Sequence, residues 1–343
     1  MDKAIMELVD VIRDLVFVQG ISGYEDSVRE RILDYLRKFG EPRVDKLGNV
    51  YISLGEGEKH IAFMAHMDEI GMVVAHIEDN GFIRLKKLGG VDTRMLYGQY
   101  FEVFTKEGKR IPGVIGLKPP HISTENEMKS APPIEDLYLD VGASSREEVL
   151  SMGISVLDPV RWVKQFYVLN NRYIVSRALD DRAGCAILIK LIENLKGKKL
   201  NKKVTFIFTL QEETGLRGAR AITDRAIDEL YAIDSVSSGD IPKVDYYLSP
   251  VSLGKGPVIR FIDARGANSL SLRRKVEEIA SRNNIKIQEV FTGGSTDAAG
   301  TFDLGIPSLA LCFPIRYTHT TVEMSSMEDM NNLIKLLEKI VQG

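Results

Sequence analysis

Two runs of apolar or β-branched residues constrain the fold more strongly than any other feature of this sequence. IAFMA at 61–65 and VTFIF at 204–208 show no regular alternation of polar and apolar side chains. A strand that is apolar on both sides is typical of the centre of a parallel sheet, where helices cover both faces. These runs therefore predict central strands of an α/β fold.

The rest of the chain provides helices for such a sheet. Helical spacing of apolar residues predicts helices over 3–18 and 26–38, and Ser22 with Glu25 is typical of a capping box opening the second. From about residue 166, predicted strands and helices alternate, which indicates a doubly wound, mostly parallel sheet. These elements include a helix over 217–229 and a strand over 245–248.

Residues 71–165 interrupt that alternation. Their segments are short, rich in β-forming residues and separated by Gly and Pro, with one short helix at SSREEVLSMG. They predict a small all-β insertion domain, either PDZ-like or a six-stranded barrel. The insertion would divide one catalytic α/β domain made of 1–70 and 166–343.

Composition narrows the class of protein. The 343 residues are 44% apolar and 27% charged with a formal charge of −3, which is typical of a globular chain without nucleic-acid or membrane partners. No stretch approaches the roughly 18 apolar residues of a membrane span, and the acidic N-terminal segment does not fit a signal peptide. Cys185 and Cys312 lie in apolar segments and are expected to be reduced, so we expect a cytoplasmic protein.

Acids and histidines follow several predicted strands at the point where each ends. Because the carboxyl ends of parallel strands meet at one edge of an open sheet, where ligands bind, these side chains should converge. Clustered carboxylates repel one another unless a cation holds them. Together with two histidines they form the ligand set of a divalent transition metal, with zinc favoured and cobalt or manganese as alternatives. The residues concerned are His66, Asp68, Asp180, Glu212, Glu213, Asp234 and His319.

The adjacent glutamates Glu212 and Glu213 suggest two different roles. Successive side chains of an extended chain point in opposite directions, so one carboxylate can bind metal while the other faces the substrate. A carboxylate that is not a ligand can serve as the general base of metal-assisted hydrolysis. It takes a proton from water and returns it to the leaving amine.

Taken singly, many of these residues have a plainer interpretation. Asp181 can be a helix N-cap, and GGSTDAAG at 293–300 can be a turn and helix start. His76 and His121, in the β-rich segment, are expected to be structural or exposed. His60 lies in a charged turn and is expected to be solvated.

Seven motifs, in order along the chain, resemble a known family, the tetrahedral aminopeptidases. These are dinuclear metallo-aminopeptidases that often carry endoglucanase or cellulase names. The resemblance covers nearly the whole chain and implies a zinc-peptidase-like catalytic domain with a β insertion. The motifs are AHMDEIG (65–71), GVIGLKPPH (113–121), ALDDRAG (178–184), QEETGLRGA (211–219), AID (232–234), GGSTDAAG (293–300) and RYTHTTVE (316–323).

Carried over position by position, the resemblance implies two divalent metal ions per subunit, zinc or cobalt. Asp180 would bridge both ions. His66 and Asp234 would complete one site, and Glu213 and His319 the other.

The resemblance also implies the residues that act on the reaction. Glu212 would be the general base, and Asp68 would fix the tautomer of His66 by accepting its hydrogen bond. A cis peptide between Asp180 and Asp181 is typical of the family. The implied protein is a homo-dodecamer built from dimers through the β insertion, and it removes N-terminal residues from short peptides.

Three other functions remain as alternatives. A metal-dependent deacylase of N-acyl amino acids or small peptides would use the same chemistry on an acylated amine. A glycoside hydrolase needs two carboxylates across a sugar and aromatic platforms, whereas the chain has a single tryptophan, Trp162, and adjacent Glu212 and Glu213 should point apart. A scaffold or metal-storage shell would leave Glu212 without a role.

Overall fold

The structure is a computed structural model that describes residues 3–343. Its helices are α1 (Lys3–Phe17), α2 (Asp26–Leu36), α3 (Arg146–Ser151), α4 (Leu179–Leu195), α5 (Arg217–Arg220), α6 (Leu270–Arg282), α7 (Asp297–Gly300) and α8 (Met327–Gln342). Its strands are β1 (Arg43–Val44), β2 (Val50–Leu54), β3 (His60–His66), β4 (Gly71–Ile77), β5 (Ile83–Leu88), β6 (Gln99–Phe104), β7 (Arg110–Ile115), β8 (Pro159–Trp162), β9 (Phe166–Leu169), β10 (Tyr173–Ser176), β11 (Lys203–Thr209), β12 (Glu229–Ser237), β13 (Val258–Asp263), β14 (Gly266–Ala267), β15 (Gln288–Phe291), β16 (Ser308–Arg316) and β17 (Glu323–Ser326).

Twelve strands form one large mixed sheet around a parallel centre. Strands β11, β3, β12 and β16 are neighbours in that order and run parallel. Antiparallel strands extend the centre on both sides, with β2 beside β11 and β17 and β13 beside β16. The α/β class is confirmed, but the expected mostly parallel sheet is wrong at its edges, where the added strands reverse direction.

Strand β3 shows why its sequence is apolar throughout. Ile61, Phe63 and Ala65 belong to a cluster that contains residues of the long helices α1, α2, α4, α6 and α8. Ala62 and Met64 belong to a second cluster with residues of the short helices α5 and α7. The prediction of a central strand covered on both faces is therefore confirmed, and each large apolar side chain buried there stabilises the fold by roughly 2 kcal/mol.

The chain divides into two compact units. The larger runs to Asp68 and also contains Phe166–Thr318 and Val322–Gly343, and the smaller contains Glu69–Gln165 with His319–Thr321. The strands of the smaller unit pair in the antiparallel order β5-β4-β8-β6-β7.

The smaller unit has five paired strands, whereas a six-stranded barrel was one of the two expected architectures. The β-prone segment LYLDVGA (137–143) forms only single bridges, from Leu139 to Ile83 of β5 and from Asp140 to Val114 of β7. Helix α3 adds one short helix at the position predicted from the sequence. That this segment is a separate PDZ-like or barrel domain remains a prediction.

Two local predictions are wrong. The helix expected over 217–229 ends at Arg220, because the Asp224 side chain accepts a hydrogen bond from the Ala226 amide (3.0 Å) and forms a turn instead. The strand expected over 245–248 is a single 3₁₀ turn whose Tyr246 side chain is 75% exposed.

The predicted capping box before α2 is also wrong. The Ser22 hydroxyl donates to the carboxylate of Asp68, and the Glu25 carboxylate accepts from the backbone amides of Gly23 and Gln211. Both side chains of the turn between α1 and α2 therefore serve contacts other than a reciprocal cap.

Both cysteines are free and buried, as expected of reduced core residues. No helix within residues 3–343 combines the length and the apolar character needed to cross a membrane.

Candidate metal centre

Four of the five candidate ligands lie towards the carboxyl ends of parallel strands of the large sheet or in the loops that follow, and the fifth, Asp180, lies at the start of α4. His66 is the last residue of β3, and Asp234 lies in the second half of β12. Glu213 follows β11, and His319 follows β16. Asp180 lies in the first turn of α4, directly after the residues that lead out of β10.

The structure groups these residues into two clusters. His66, Asp180 and Asp234 form the first, with ligand atoms within 4.8 Å of one another. In it, His66 Nε2 lies 3.2 Å from Asp180 Oδ1 and 3.9 Å from Asp234 Oδ1. Asp180, Glu213 and His319 form the second, within the same 4.8 Å limit. Asp180 belongs to both clusters, so its carboxylate is shared between them.

The orientation of His66 depends on Asp68. The Nδ1 atom of His66 lies 3.1 Å from the backbone oxygen of Asp68 and 3.5 Å from its Oδ1. With the Nδ1 proton directed at these acceptors, Nε2 is the nitrogen that faces Asp180 and Asp234.

Asp68 also fixes the backbone that carries the two glutamates. Its Oδ1 accepts from the Glu212 amide (3.0 Å) and its Oδ2 from the Glu213 amide (3.2 Å). Asp68 is fully buried, so these contacts form away from water. One side chain thus links the end of β3 to the turn after β11.

The start of α4 is irregular in the way the resemblance implies. The peptide bond between Asp180 and Asp181 is cis, and neither residue has helical φ and ψ angles. Asp181 does cap the helix, since its Oδ1 accepts from the Gly184 amide (3.1 Å). Its Oδ2 accepts from the His66 amide (3.2 Å), so Asp181 also connects α4 to β3.

Glu323 is a residue of this region that sequence reasoning missed. Its Oε2 accepts from the amides of Leu179 (2.8 Å) and Asp180 (3.3 Å), and it is 2% exposed. It is the last residue of the RYTHTTVE motif, and this position in the motif was the signal in the sequence that could have identified it. From the start of β17, Glu323 therefore holds the backbone of Asp180, the residue that the two clusters share.

Burial and mutual repulsion raise the pKa values of two carboxylates of this region. Burial, followed by repulsion from Asp180, raises the pKa of Asp234 to about 8. Burial raises the pKa of Glu212 well above its usual range; the positive charge of His66 opposes this shift, and the carboxylates of Asp234 and Glu213 add to it. The raised pKa values favour the protonated form of these acids, and a bound cation would favour the ionised form instead.

The pKa values of His66 and Asp68 are shifted in opposite directions. Burial acts to lower the pKa of His66, but hydrogen bonds to Asp180 and Asp68 raise it well above its usual range. Burial acts to raise the pKa of Asp68, yet His66 and the hydrogen bonds from Ser22 and the Glu212 amide lower it. Asp68 is therefore an ionised acceptor.

The GGSTDAAG segment has the turn and short helix of its plainer interpretation, and it also carries a buried acid. Asp297 opens α7, is 3% exposed and contacts the hydroxyl of Thr209, the last residue of β11. Burial raises the pKa of Asp297 to about 6.

The remaining histidines lie outside the two clusters. His76 and His121 are exposed, as expected. The expectation for His60 is wrong, because it is 3% exposed and its Nε2 lies 2.8 Å from the Thr205 hydroxyl. Trp162 is 1% exposed and donates its indole N–H to the backbone oxygen of Met95 (3.1 Å), so it forms no sugar platform.

Comparison with known proteins identifies the family of this chain. The sequence pattern of M42 glutamyl aminopeptidases matches residues 48–336, which contain all the predicted site residues. The chain belongs to the M42 glutamyl aminopeptidase family. The resemblance to the tetrahedral aminopeptidases is thereby confirmed.

Three relatives show how far the M42 likeness extends. The TET1 peptidase of Pyrococcus horikoshii is 42% identical with a TM-score of 0.90, covering 97% of this chain and 99% of that one. An aminopeptidase of the archaeon Desulfurococcus kamchatkensis is 34% identical with a TM-score of 0.92, covering 98% and 95%. The lysyl aminopeptidase of Pyrococcus furiosus is 30% identical over 97% of this chain and 96% of its own length. These three relatives thus resemble this chain over nearly its full length.

Proposed function

We propose that this M42 family member is a two-metal aminopeptidase that removes N-terminal residues from short peptides. The observation that carries the proposal is the pair of His and carboxylate clusters sharing Asp180, with the half-buried carboxylate of Glu212 next to them. A shared carboxylate is the natural bridge between two adjacent cations, and a carboxylate outside both clusters is available for proton transfer.

The donor atoms fit divalent transition metals. Each cluster offers one imidazole nitrogen and two carboxylates, a set that zinc and cobalt accept. His66 and Asp234 would hold one cation, Glu213 and His319 the other, and Asp180 both. When bound, the two cations would polarise the scissile carbonyl and lower the pKa of the attacking water towards about 7.

Glu212 would act as general base and then as general acid. Burial raises its pKa well above the usual range of a glutamate, and a raised pKa favours a carboxylate that accepts a proton and later releases it. It would take the proton of the attacking water and deliver it to the departing amine. Asp68 would support this step without touching the substrate, since it holds the Glu212 amide and the Nδ1 side of His66.

The assembly is a further part of the proposal. The TET1 peptidase of Pyrococcus horikoshii assembles into a tetrahedron or a large octahedral shell. By extension, this chain would form a homo-dodecamer built from dimers, with a PDZ-like or barrel insertion at 71–165 making the dimer contacts. The smaller unit exposes several large apolar side chains, among them Tyr100, Leu117, Ile122 and Met128, which supports a role in association. We place the protein in the cytoplasm, where its buried free cysteines would remain reduced.

A deacylase would use the same residues but would accept a blocked amine. The test therefore compares chromogenic amides of several amino acids with their N-acetylated counterparts, using protein stripped by chelator and reloaded with zinc or cobalt. We expect release from free-amine substrates, loss of release on chelation and recovery with metal.

Cleavage of the N-acetylated series alone would replace the aminopeptidase by a deacylase. Cleavage that survives complete metal removal would contradict the two-metal mechanism. The same panel would also report which N-terminal side chain is preferred.

A further inference from the structure

The turn between β11 and α5 carries the two glutamates on an unusual backbone. Residues 210–213, called here the glutamate turn, directly follow β11, and each of their four amides donates to a side chain. The acceptors are Asn49 for Leu210 (3.3 Å), Glu25 for Gln211 (3.1 Å) and Asp68 for both Glu212 (3.0 Å) and Glu213 (3.2 Å).

Gln211 is the conformationally demanding residue of the glutamate turn. Its φ angle is +53°, in the left-handed region that costs energy for a residue with a side chain. A backbone amide in this conformation that loses its acceptor away from water costs still more. The acceptor of the Gln211 amide therefore helps to decide whether the turn keeps its shape.

That acceptor is Glu25, a residue 186 positions away in sequence. Its Oε1 receives two hydrogen bonds, from the Gln211 amide (3.1 Å) and from the Gly23 amide (2.8 Å). The side chain is 5% exposed and occupies the N-cap position of α2, so the rigid helix fixes its place.

The same short turn before α2 acts on the glutamate turn a second time. The Ser22 hydroxyl donates to Asp68, whose two oxygens hold the amides of Glu212 and Glu213. Glu25 thus supports the Gln211 amide directly, and Ser22 supports the next two amides indirectly through Asp68.

We propose that Glu25 is a positioning residue, which aims the carboxylates of Glu212 and Glu213 by holding the Gln211 amide. Its kinetic consequence rests on the proposed function, whereas its structural consequence does not. The role needs an oxygen acceptor at this reach and no charge, so glutamine should replace Glu25 and alanine should not.

The test compares wild type with E25A and E25Q, and with E30A as a matched control. Glu30 is an exposed glutamate on α2 that pairs with Arg37 at the surface. Hydrogen exchange of the backbone amides of 208–216 is measured on metal-free protein, and kcat and KM are measured on metal-loaded protein with a free-amine chromogenic substrate.

We expect E25A to speed exchange at the glutamate turn and to lower kcat about tenfold to a hundredfold, because small misplacement of a catalytic group costs that much. KM should change by less than about threefold, since no substrate contact is removed. E25Q should match wild type in both measurements, and E30A should change neither.

Three results would overturn the proposal: unchanged exchange in E25A, unchanged kcat despite faster exchange, or E25Q behaving like E25A. If E25A does not fold, E25D replaces it, since aspartate keeps the charge but is one methylene too short to reach Gln211, and the same losses are expected. If wild type cleaves no aminoacyl substrate, the proposed function fails on its own, and the exchange data still decide whether Glu25 holds the turn.

Discussion

Gly184 shows how tightly the turn around the shared carboxylate is packed. A Cβ atom added there would lie 2.2 Å from Asp181 Oδ1, although Asp181 is held by the amides of Gly184 itself and of His66. Gly184→Ala should therefore displace Asp181 and destabilise the protein by about 1–3 kcal/mol, as overpacked sites do. Urea unfolding of metal-free protein measures the change.

The control for this substitution is Gly116→Ala, where a Cβ would meet no atom within 4 Å. It should leave the free energy of unfolding within about 0.5 kcal/mol of wild type. Equal stability of the two variants would contradict the packing argument at Gly184.

Glu25 makes stability depend on pH in a defined direction. Burial, followed by repulsion from Asp68, raises the pKa of Glu25 to about 7, above the value of 4.5 expected in the unfolded chain. Between these values the folded protein binds a proton that the unfolded chain has lost, so this group lowers stability as pH rises from about 4.5 to 7. The full penalty, reached above pH 7, is roughly 3 kcal/mol.

Glu25→Gln removes this dependence and keeps the oxygen acceptor. The variant should gain stability relative to wild type at pH 8 and show little difference at pH 4.5, measured by urea unfolding at both values. A stability difference that is the same at both pH values would show that Glu25 does not titrate in this range.

For single residues, the sequence predicted a role only where a local pattern marked the residue. The candidate ligands stood out because each ends or follows a predicted strand or precedes a predicted helix, and the family resemblance then gave each a role. Glu323 was missed and Glu25 was assigned to a capping box, because the residues that they hold lie far away, Asp180 at 143 positions and Gln211 at 186. No spacing rule connects such pairs before the fold is known.

Among the elements, α8 shows how one helix holds a loop to the core. Both oxygens of Asp329, in its first turn, accept backbone amides, from Gly254 (2.6 Å) and Gly256 (2.8 Å) just before β13. Asp329→Ala leaves two amides without their acceptor and should destabilise the protein by about 1–3 kcal/mol in chemical denaturation.

Glu328 provides the matched control, since it is an exposed acid in the same helical turn. Glu328→Ala should cost less than about 0.5 kcal/mol. If both variants lose the same stability, the effect belongs to helix electrostatics and not to the loop contact.

Element prediction succeeded where burial was complete and failed where it was partial. Strands β3 and β11 are buried almost throughout, and their apolar runs were sufficient. Strands β9, β10 and β17 have only four residues each, and β9 alternates between half-buried and exposed positions, so their sequences gave little signal. These missed strands lie on one side of the sheet and pair antiparallel with their neighbours, and missing them favoured the expectation of a mostly parallel sheet.

At the scale of the whole molecule, the candidate centre joins segments that are distant in the chain. Strands β3 and β12 and helix α4 each contribute one residue to the first cluster. Bound cations would link these elements and neutralise carboxylates whose pKa values burial has raised. We therefore expect the midpoint of thermal unfolding to fall by several degrees on chelation and to recover with zinc or cobalt.

Scanning calorimetry with and without chelator at constant pH measures this effect. An unchanged midpoint, with elemental analysis showing that metal was removed, would mean that the clusters do not bind cations tightly. Recovery with magnesium but not zinc would also count against the proposed donor set.

The proposed mechanism depends most directly on the separation of roles between Glu212 and Glu213. The deciding measurement is kcat of Glu212→Gln on a free-amine substrate, with bound metal quantified in the same sample and Glu213→Gln as the contrast. We expect Glu212→Gln to keep two metal ions per subunit and to lose about a hundredfold or more in kcat, whereas Glu213→Gln should lose metal as well. Turnover near the wild-type level in fully loaded Glu212→Gln would contradict the proposed mechanism.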